Sequence, residues 1–302
     1  MTETTSLPVQ PAATTALASA LDGPLVSTQW LADHLGAEGL VVLDATAVAS
    51  RDADGRAVYV SGRPAFAESR IPGSAFADLV DAFSDAEAPF AFTRPGSDAF
   101  ARAAAAVGVG PETTVVVYDT ALGQWASRLW YLFRAFGHDR VALLDGGLPK
   151  WTAEGRPVEA GDVPAAQLAS ATTPLPATER PGFWVGTEEV AAIVDGTRPG
   201  ALVCGTSARD FAARHIPGST SAPVARLLDR ETNAFLPVPE LREVLADVLA
   251  APGPVVVYCG AGIAAAADAL ALALLGRDDV LLYDGSLGEW TADPAAPLAS
   301  AA

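Results

Sequence analysis

Short, almost unbroken apolar runs alternate along this chain with longer stretches whose apolar residues recur every three or four positions. Leu40 to Leu43, ending at Asp44, is one such run, and Ala201 to Val203, ending at Cys204, is another. Strands that lack polar alternation are buried on both faces, which predicts a parallel sheet covered by helices on each side. Ser27 or Thr28 is placed to cap a short helix that turns Trp30, Leu31 and Leu35 inward. Thr187 is placed to cap its counterpart, and Glu188 and Glu189 suit a helix start. Further helices are predicted near Phe100 to Val107, near Pro239 to Leu249, and onward from about Ile263.

The whole pattern occurs twice. VVVYD ends at Asp119 and VVVYC ends at Cys259, 140 residues later. Upstream of each lies a Phe followed by IPGS, Phe66 to Ser74 and Phe211 to Ser219, whose Pro-Gly pairs predict turns. Downstream, DGG at Asp145 and DGS at Asp284 stand 139 apart, and the copies close on Trp151 and Trp290. These limits predict two α/β domains, 23–154 and 183–297, after a loose tail over 1–22. The Pro-, Ala- and Thr-rich stretch within 155–182 reads as a linker. A chain of 302 residues suits two cores of this size.

Charge narrows the partners. With 19 basic and 36 acidic residues the formal net charge is −17, which argues against nucleic acid or an anionic membrane. A small anionic substrate stays compatible, since a local field can oppose the global one. Two cysteines make no disulfide scaffold and fit a reducing, cytoplasmic setting. The first 22 residues lack the charged and apolar regions of a signal peptide. The most apolar run, Ile263 to Leu275, is 13 residues long and holds Asp268, too short and too charged to span a bilayer. No ligand cluster has metal spacing, and neither a metal nor a cofactor is expected.

Cys259 is the first residue after an apolar strand, in the series Gly260, Ala261, Gly262, Ile263, Ala264. Ligands of open parallel sheets collect at such strand ends. Two glycines let the backbone curl so that several N–H groups face one centre, and the following helix adds its positive end. That setting favours a thiolate and equally a persulfide. An inert, buried cysteine is the plain alternative; the Gly-x-Gly turn and the Asp in the duplicate weigh against it. Phosphatase chemistry is disfavoured because position 265, where the cationic fork would stand, is Ala265. Nothing in the sequence pairs His215 or His138 with the cysteine.

From about residue 25 to 295 the chain resembles the two-domain sulfurtransferases of the rhodanese superfamily. The resemblance lies in the paired IPGS and VVVY segments, in GHDRVALLDGGLPKW from Gly137 to Trp151, and in YCGAG followed by a helix and DGSLGEW. It implies an inactive first domain that walls a cleft and a catalytic second domain. In this reading Cys259 is the nucleophile that takes sulfur from a small anionic donor and passes it to a thiol or cyanide. CGAGIA is neutral and resembles the loop of members preferring 3-mercaptopyruvate more than the basic loop of members preferring thiosulfate.

Departures from that type are substantial. Its Ser and Thr in the loop are Ala261 and Ala264 here, its relay His aligns with Phe92, and the His's Asp partner survives as Asp81. Its strand-end Asp-Ala-Arg reads Cys204-Gly205-Thr206, its Arg before the conserved Phe is Asp210, and the insertion carrying a second substrate Arg is missing. Arg209, Arg214, Arg70 and Arg128 are therefore the candidate substrate cations. Arg214 and His215 read equally as surface groups feeding the turn, and Arg128 reads better as a partner of an interface carboxylate. Trp125, Trp130 and Trp151 read as core or interface. Cys204 could approach Cys259 as a redox or persulfide partner, though a small buried residue is the better reading. The rival to an enzyme is a catalytically weak scaffold or sulfur-carrier protein of the same fold.

Overall fold

The computed structural model describes residue 17 and residues 21–53, 57–161 and 170–301. Most of the expected tail and the middle of the expected linker lie outside these. The first unit contains β1 (Leu25–Val26), α1 (Thr28–His34), β2 (Leu40–Asp44), β3 (Ala47–Arg51), β4 (Ala57–Ser61), α2 (Arg63–Glu68) and β5 (Ala75–Phe76). It continues with α3 (Ser97–Ala106), β6 (Thr114–Tyr118), α4 (Gln124–Ala135), β7 (Val141–Leu144) and α5 (Gly147–Ala153). The second contains β8 (Trp184–Val185), α6 (Thr187–Val194), β9 (Ala201–Cys204), α7 (Ala208–Ala213) and β10 (Thr220–Ser221). After these come α8 (Val238–Val244), α9 (Ala246–Ala250), β11 (Val255–Tyr258), α10 (Ala264–Leu274), β12 (Val280–Tyr283) and α11 (Ser286–Trp290).

Each unit is a five-stranded sheet, β1-β7-β6-β2-β5 and β10-β9-β11-β12-β8, and every pair within the two sheets is parallel. The order is the same read from opposite ends, so the sequence repeat is a structural one. The fold class is α/β in tandem, with VVVY buried at the centre of each sheet. The repeated motifs recur because they hold one another. Tyr118 Oη accepts from Ile71 N at 3.2 Å and shares a hydrogen bond with Ser74 Oγ at 3.0 Å. Tyr258 Oη does the same with Ile216 N at 2.9 Å and Ser219 Oγ at 2.8 Å. Each unit also closes alike, with Trp151 Nε1 donating to Pro157 O and Trp290 Nε1 to Pro297 O.

Local expectations met the structure unevenly. Ser27 caps α1 by accepting from Trp30 N, and Leu31 is buried, while Trp30 and Leu35 are half-buried. Thr187 does not cap α6: Gly186 holds that position, and the Thr187 hydroxyl meets Tyr283 Oη at 2.8 Å. The helical stretch expected near Pro239 to Leu249 is present as two helices, α8 and α9, divided at Leu245. The described parts of the linker are strapped to the first unit, with Arg180 N donating to Ala135 O and Ala171 N to Ala105 O. The antiparallel hairpin β3–β4 was missed. Its signal was present, since Asp54-Gly55 stands between runs of strand-forming residues.

Helices α4 and α10 pack against each other and join the two units. Ala265, Ala266, Ala267, Ala269 and Ala271 of α10 are all buried, and their small side chains allow close approach. No helix among the described residues is long and apolar enough to cross a membrane. One buried polar residue interrupts α10: neither carboxylate oxygen of Asp268 has a partner among the described residues. Burial pushes its carboxyl well above the ordinary 3.8. The folded chain therefore binds a proton that the unfolded chain releases. That contribution to stability is complete below the unfolded value and lost as pH rises through the raised folded one. Asp268→Asn cannot ionise, so it is expected to gain stability relative to the wild type as pH rises from about 4 to 8. Denaturant unfolding across that range checks it; parallel curves would refute it.

Candidate functional site

Cys259 follows β11 directly, and its loop is held from beneath by the DGS turn. Ser286 Oγ accepts from Cys259 N at 3.1 Å and Gly262 N at 3.0 Å, and donates to Tyr283 O at 2.9 Å. To do this Ser286 adopts φ +50°, a conformation unusual for a residue with a Cβ. Its counterpart in the first unit is Gly147, which has no hydroxyl to offer. Leu287 N donates to Cys259 O and Gly288 N to Gly260 O, both at 3.0 Å. Gly262 is obligatory, because at φ +74° a Cβ would stand 2.8 Å from Asp284 O. A Cβ on Gly260 would meet nothing within 4 Å, so this position opens outward.

Two of the amides expected to face the reacting centre are thus spent on Ser286. Those of Gly260, Ala261, Ile263 and Ala264 have no acceptor among the described residues. The first unit shows what the same loop does with an anionic side chain. Asp119, buried, accepts from Ala121 N at 2.8 Å, Gly123 N at 3.0 Å, Trp125 N at 2.9 Å and Ala126 N at 3.0 Å. Burial raises its carboxyl, and the four amides oppose that shift by favouring the charged form. Shifted by 140 residues, Ala121 and Gly123 correspond to Ala261 and Ile263, two of the amides without acceptors.

Beside Gly260 lies a cavity of about 530 Å³, lined from both units. Arg51 and Tyr59 come from the hairpin β3–β4, and Thr206, Asp210, Arg214 and Leu287 from the second unit. The first unit therefore walls the cleft through a hairpin, not through its own Asp119 loop. Arg51 and Tyr59 were not among the sequence candidates, because a residue about 200 positions away has no local signature for facing Cys259.

The expected cations separate. Arg214 is exposed and lines the cavity, whereas Arg209 is exposed on α7 and is not among the cavity's lining residues. Arg70 is buried on Phe66, donates to Gly161 O at 2.7 Å and lies near Glu159, so it belongs to the linker strap. Arg128 is 1 % exposed, and its Nη2 donates to Asp284 Oδ1 at 2.7 Å and Phe92 O at 2.6 Å. Its Nη1 lies 3.5 Å from Gly262 O. It fastens the Cys259 loop from the first unit, the interface role read from its sequence context. Asp81 is exposed and lines a separate cavity with Phe92, and Phe92 is buried with φ +60°.

The remaining candidates have other duties. Cys204 and Cys259 are both free thiols; Cys204 Sγ lies 3.2 Å from Thr206 Oγ1, and burial raises its thiol. His138 is buried against Phe133, with its imidazole held below its ordinary value by burial. His215 stacks on Phe211 and pairs with Phe211 O at 2.8 Å. Trp125, Trp130 and Trp151 are core residues.

Residues 27–154 and 187–293 each match the family model of the rhodanese-like domain. Human 3-mercaptopyruvate sulfurtransferase is 35% identical, covering 88% of this chain and 91% of its own. Thiosulfate sulfurtransferase of Gallus gallus is 34% identical, covering 90% of this chain and 95% of its own. The crystal structure of SseA from Escherichia coli, described as a 3-mercaptopyruvate sulfotransferase, superposes with a TM-score of 0.75 at 27% identity. That match covers 87% of this chain and 98% of the other. With both units matching the family model and showing the same strand order, the chain belongs to the rhodanese family, as two rhodanese-like domains in tandem homologous to these sulfurtransferases.

Proposed function

We propose that this protein is a sulfurtransferase that moves sulfur from a small anionic donor, 3-mercaptopyruvate or thiosulfate, to a thiol or cyanide. The sulfur travels as a persulfide on Cys259. The observation that carries this reading is the pair of matched loops. One closes four amides on the Asp119 carboxylate, and the other leaves amides open around a cysteine that could carry a negative sulfur. In the transfer, the Cys259 thiolate attacks the donor sulfur, and sulfite or the pyruvate enolate departs with the electron pair of the broken bond. The open amides of Gly260, Ala261, Ile263 and Ala264 hold the charge of the resulting persulfide. Arg214 and Arg51 line the approach and supply cationic surface for a dianionic or carboxylate-bearing donor. Two free cysteines suit a reducing, cytoplasmic setting.

The reading is tested by intact mass and turnover on the wild type. Exposure to either donor is expected to add one sulfur, about 32 Da, which cyanide then removes through repeated cycles. A stable adduct without repeated turnover would make the chain a sulfur carrier. The absence of any adduct would leave a scaffold.

A further inference from the structure

Tyr59 leaves the hairpin β3–β4 and enters the cavity beside Gly260. Its ring is fixed edge-on against Phe92, with centroids 4.8 Å apart, and against Trp125 at 6.2 Å. It packs on the apolar cluster that contains Cys259. The phenolic oxygen, by contrast, has no hydrogen-bond partner among the described residues. A ring this firmly held with an unengaged hydroxyl at a reacting cleft is suited to serve a ligand. Phe92, which it touches, carries no group that can move a proton.

The two candidate donors differ in whether a proton is needed. Thiosulfate releases sulfite, a stable dianion that leaves without protonation. With 3-mercaptopyruvate the thiolate's electron pair forms the S–S bond, the C–S bond breaks, and its pair becomes the enolate of pyruvate. That carbanion needs an acid. Resting on the sulfurtransferase reading above, we propose that Tyr59 is a catalytic residue for 3-mercaptopyruvate, the acid that protonates the departing enolate. Its O–H gives the proton to carbon, and the transient phenolate recovers a proton from the S–H of the new persulfide. The substrate thiol proton thus ends on pyruvate, the tyrosine is restored, and the product is the persulfide anion. The carbon is reduced and the joined sulfurs are correspondingly oxidised, so no outside oxidant or reductant is required. Burial, and then the charge of Cys259, push the Tyr59 phenol above its ordinary 10.0, which keeps its proton in place at neutral pH.

Tyr59→Phe keeps the ring contacts and removes only the hydroxyl. With cyanide as acceptor, pyruvate release from 3-mercaptopyruvate is expected to lose about 10²-fold or more in kcat, the usual contribution of a positioned acid. Sulfite release from thiosulfate has no proton step and is expected to change less than about twofold, a bound set by the same reasoning. Equal losses with both donors would indicate a structural role, and no loss with either would remove the tyrosine from the chemistry; each overturns the assignment while sulfur transfer stands. A wild type that uses thiosulfate alone also overturns it. If the wild type uses 3-mercaptopyruvate alone, a kcat loss at unchanged KM supports the assignment and a KM rise at unchanged kcat overturns it. If neither donor reacts with the wild type, the sulfurtransferase reading itself fails and takes this proposal with it.

Discussion

Replacing Cys259 by Ser is expected to abolish sulfur uptake and to lower turnover with either donor by about 10⁶-fold, the scale on which removing a nucleophile acts. A neutral hydroxyl is a far weaker nucleophile towards sulfur than a thiolate, and an oxygen cannot form the persulfide. The variant should nonetheless fold. The hydrogen bonds that shape the loop run through Cys259 N and O, to Ser286 Oγ and from Leu287 N, and survive the change. Intact mass after donor treatment and steady-state cyanolysis are the measurements. Sulfur bound to the variant, or undiminished turnover, would move the chemistry elsewhere, with the buried thiol of Cys204 the first place to look.

The largest effect on stability is expected at Arg128. Arg128→Met is predicted to destabilise the protein by about 3–5 kcal/mol, the cost of breaking one side of a buried ion pair. Both partners are buried, and the guanidinium also satisfies Phe92 O and sits over the ring of Trp184. Its loss leaves Asp284 with Arg94, whose nearer guanidinium nitrogen is 3.6 Å away and partly exposed. Because Asp284 belongs to the turn that presents Ser286, the Cys259 loop should loosen as well, and turnover should fall more than unfolding alone explains. Denaturant midpoints measure the first effect. A double cycle with Asp284→Asn should recover part of the loss, because the second change removes a buried charge left with only the Arg94 N–H at 2.8 Å and the more distant Arg94 guanidinium. A change below about 1 kcal/mol would place the pair with ordinary exposed ion pairs.

These residues show where sequence reading reached and where it stopped. Cys259, its glycines and the duplicated strand were legible because a strand end followed by a tight turn is a local pattern. Arg128 was legible as an interface residue, since it stands amid the aromatic face of a helix that must pack on something. Ser286 was passed over, although the DGG and DGS turns had been aligned. The exchange of Gly147 for Ser286 was the visible signal, and its meaning depended on knowing that the turn lies beneath the loop. Asp119 was rightly paired with Cys259, but nothing in the letters shows that four amides close on it.

By itself the sequence determined two parallel α/β units, their order, and the cysteine at one strand end, because burial on both faces and tight turns are written in neighbouring residues. The tertiary structure alone decided which parts of the first unit meet that cysteine. The packing of α4 on α10 sets one unit against the other and brings Tyr59 and Arg51 to the cavity at Gly260. That docking is fixed by the shapes of two buried faces, and periodicity along a chain says which face is buried without saying what will lie opposite.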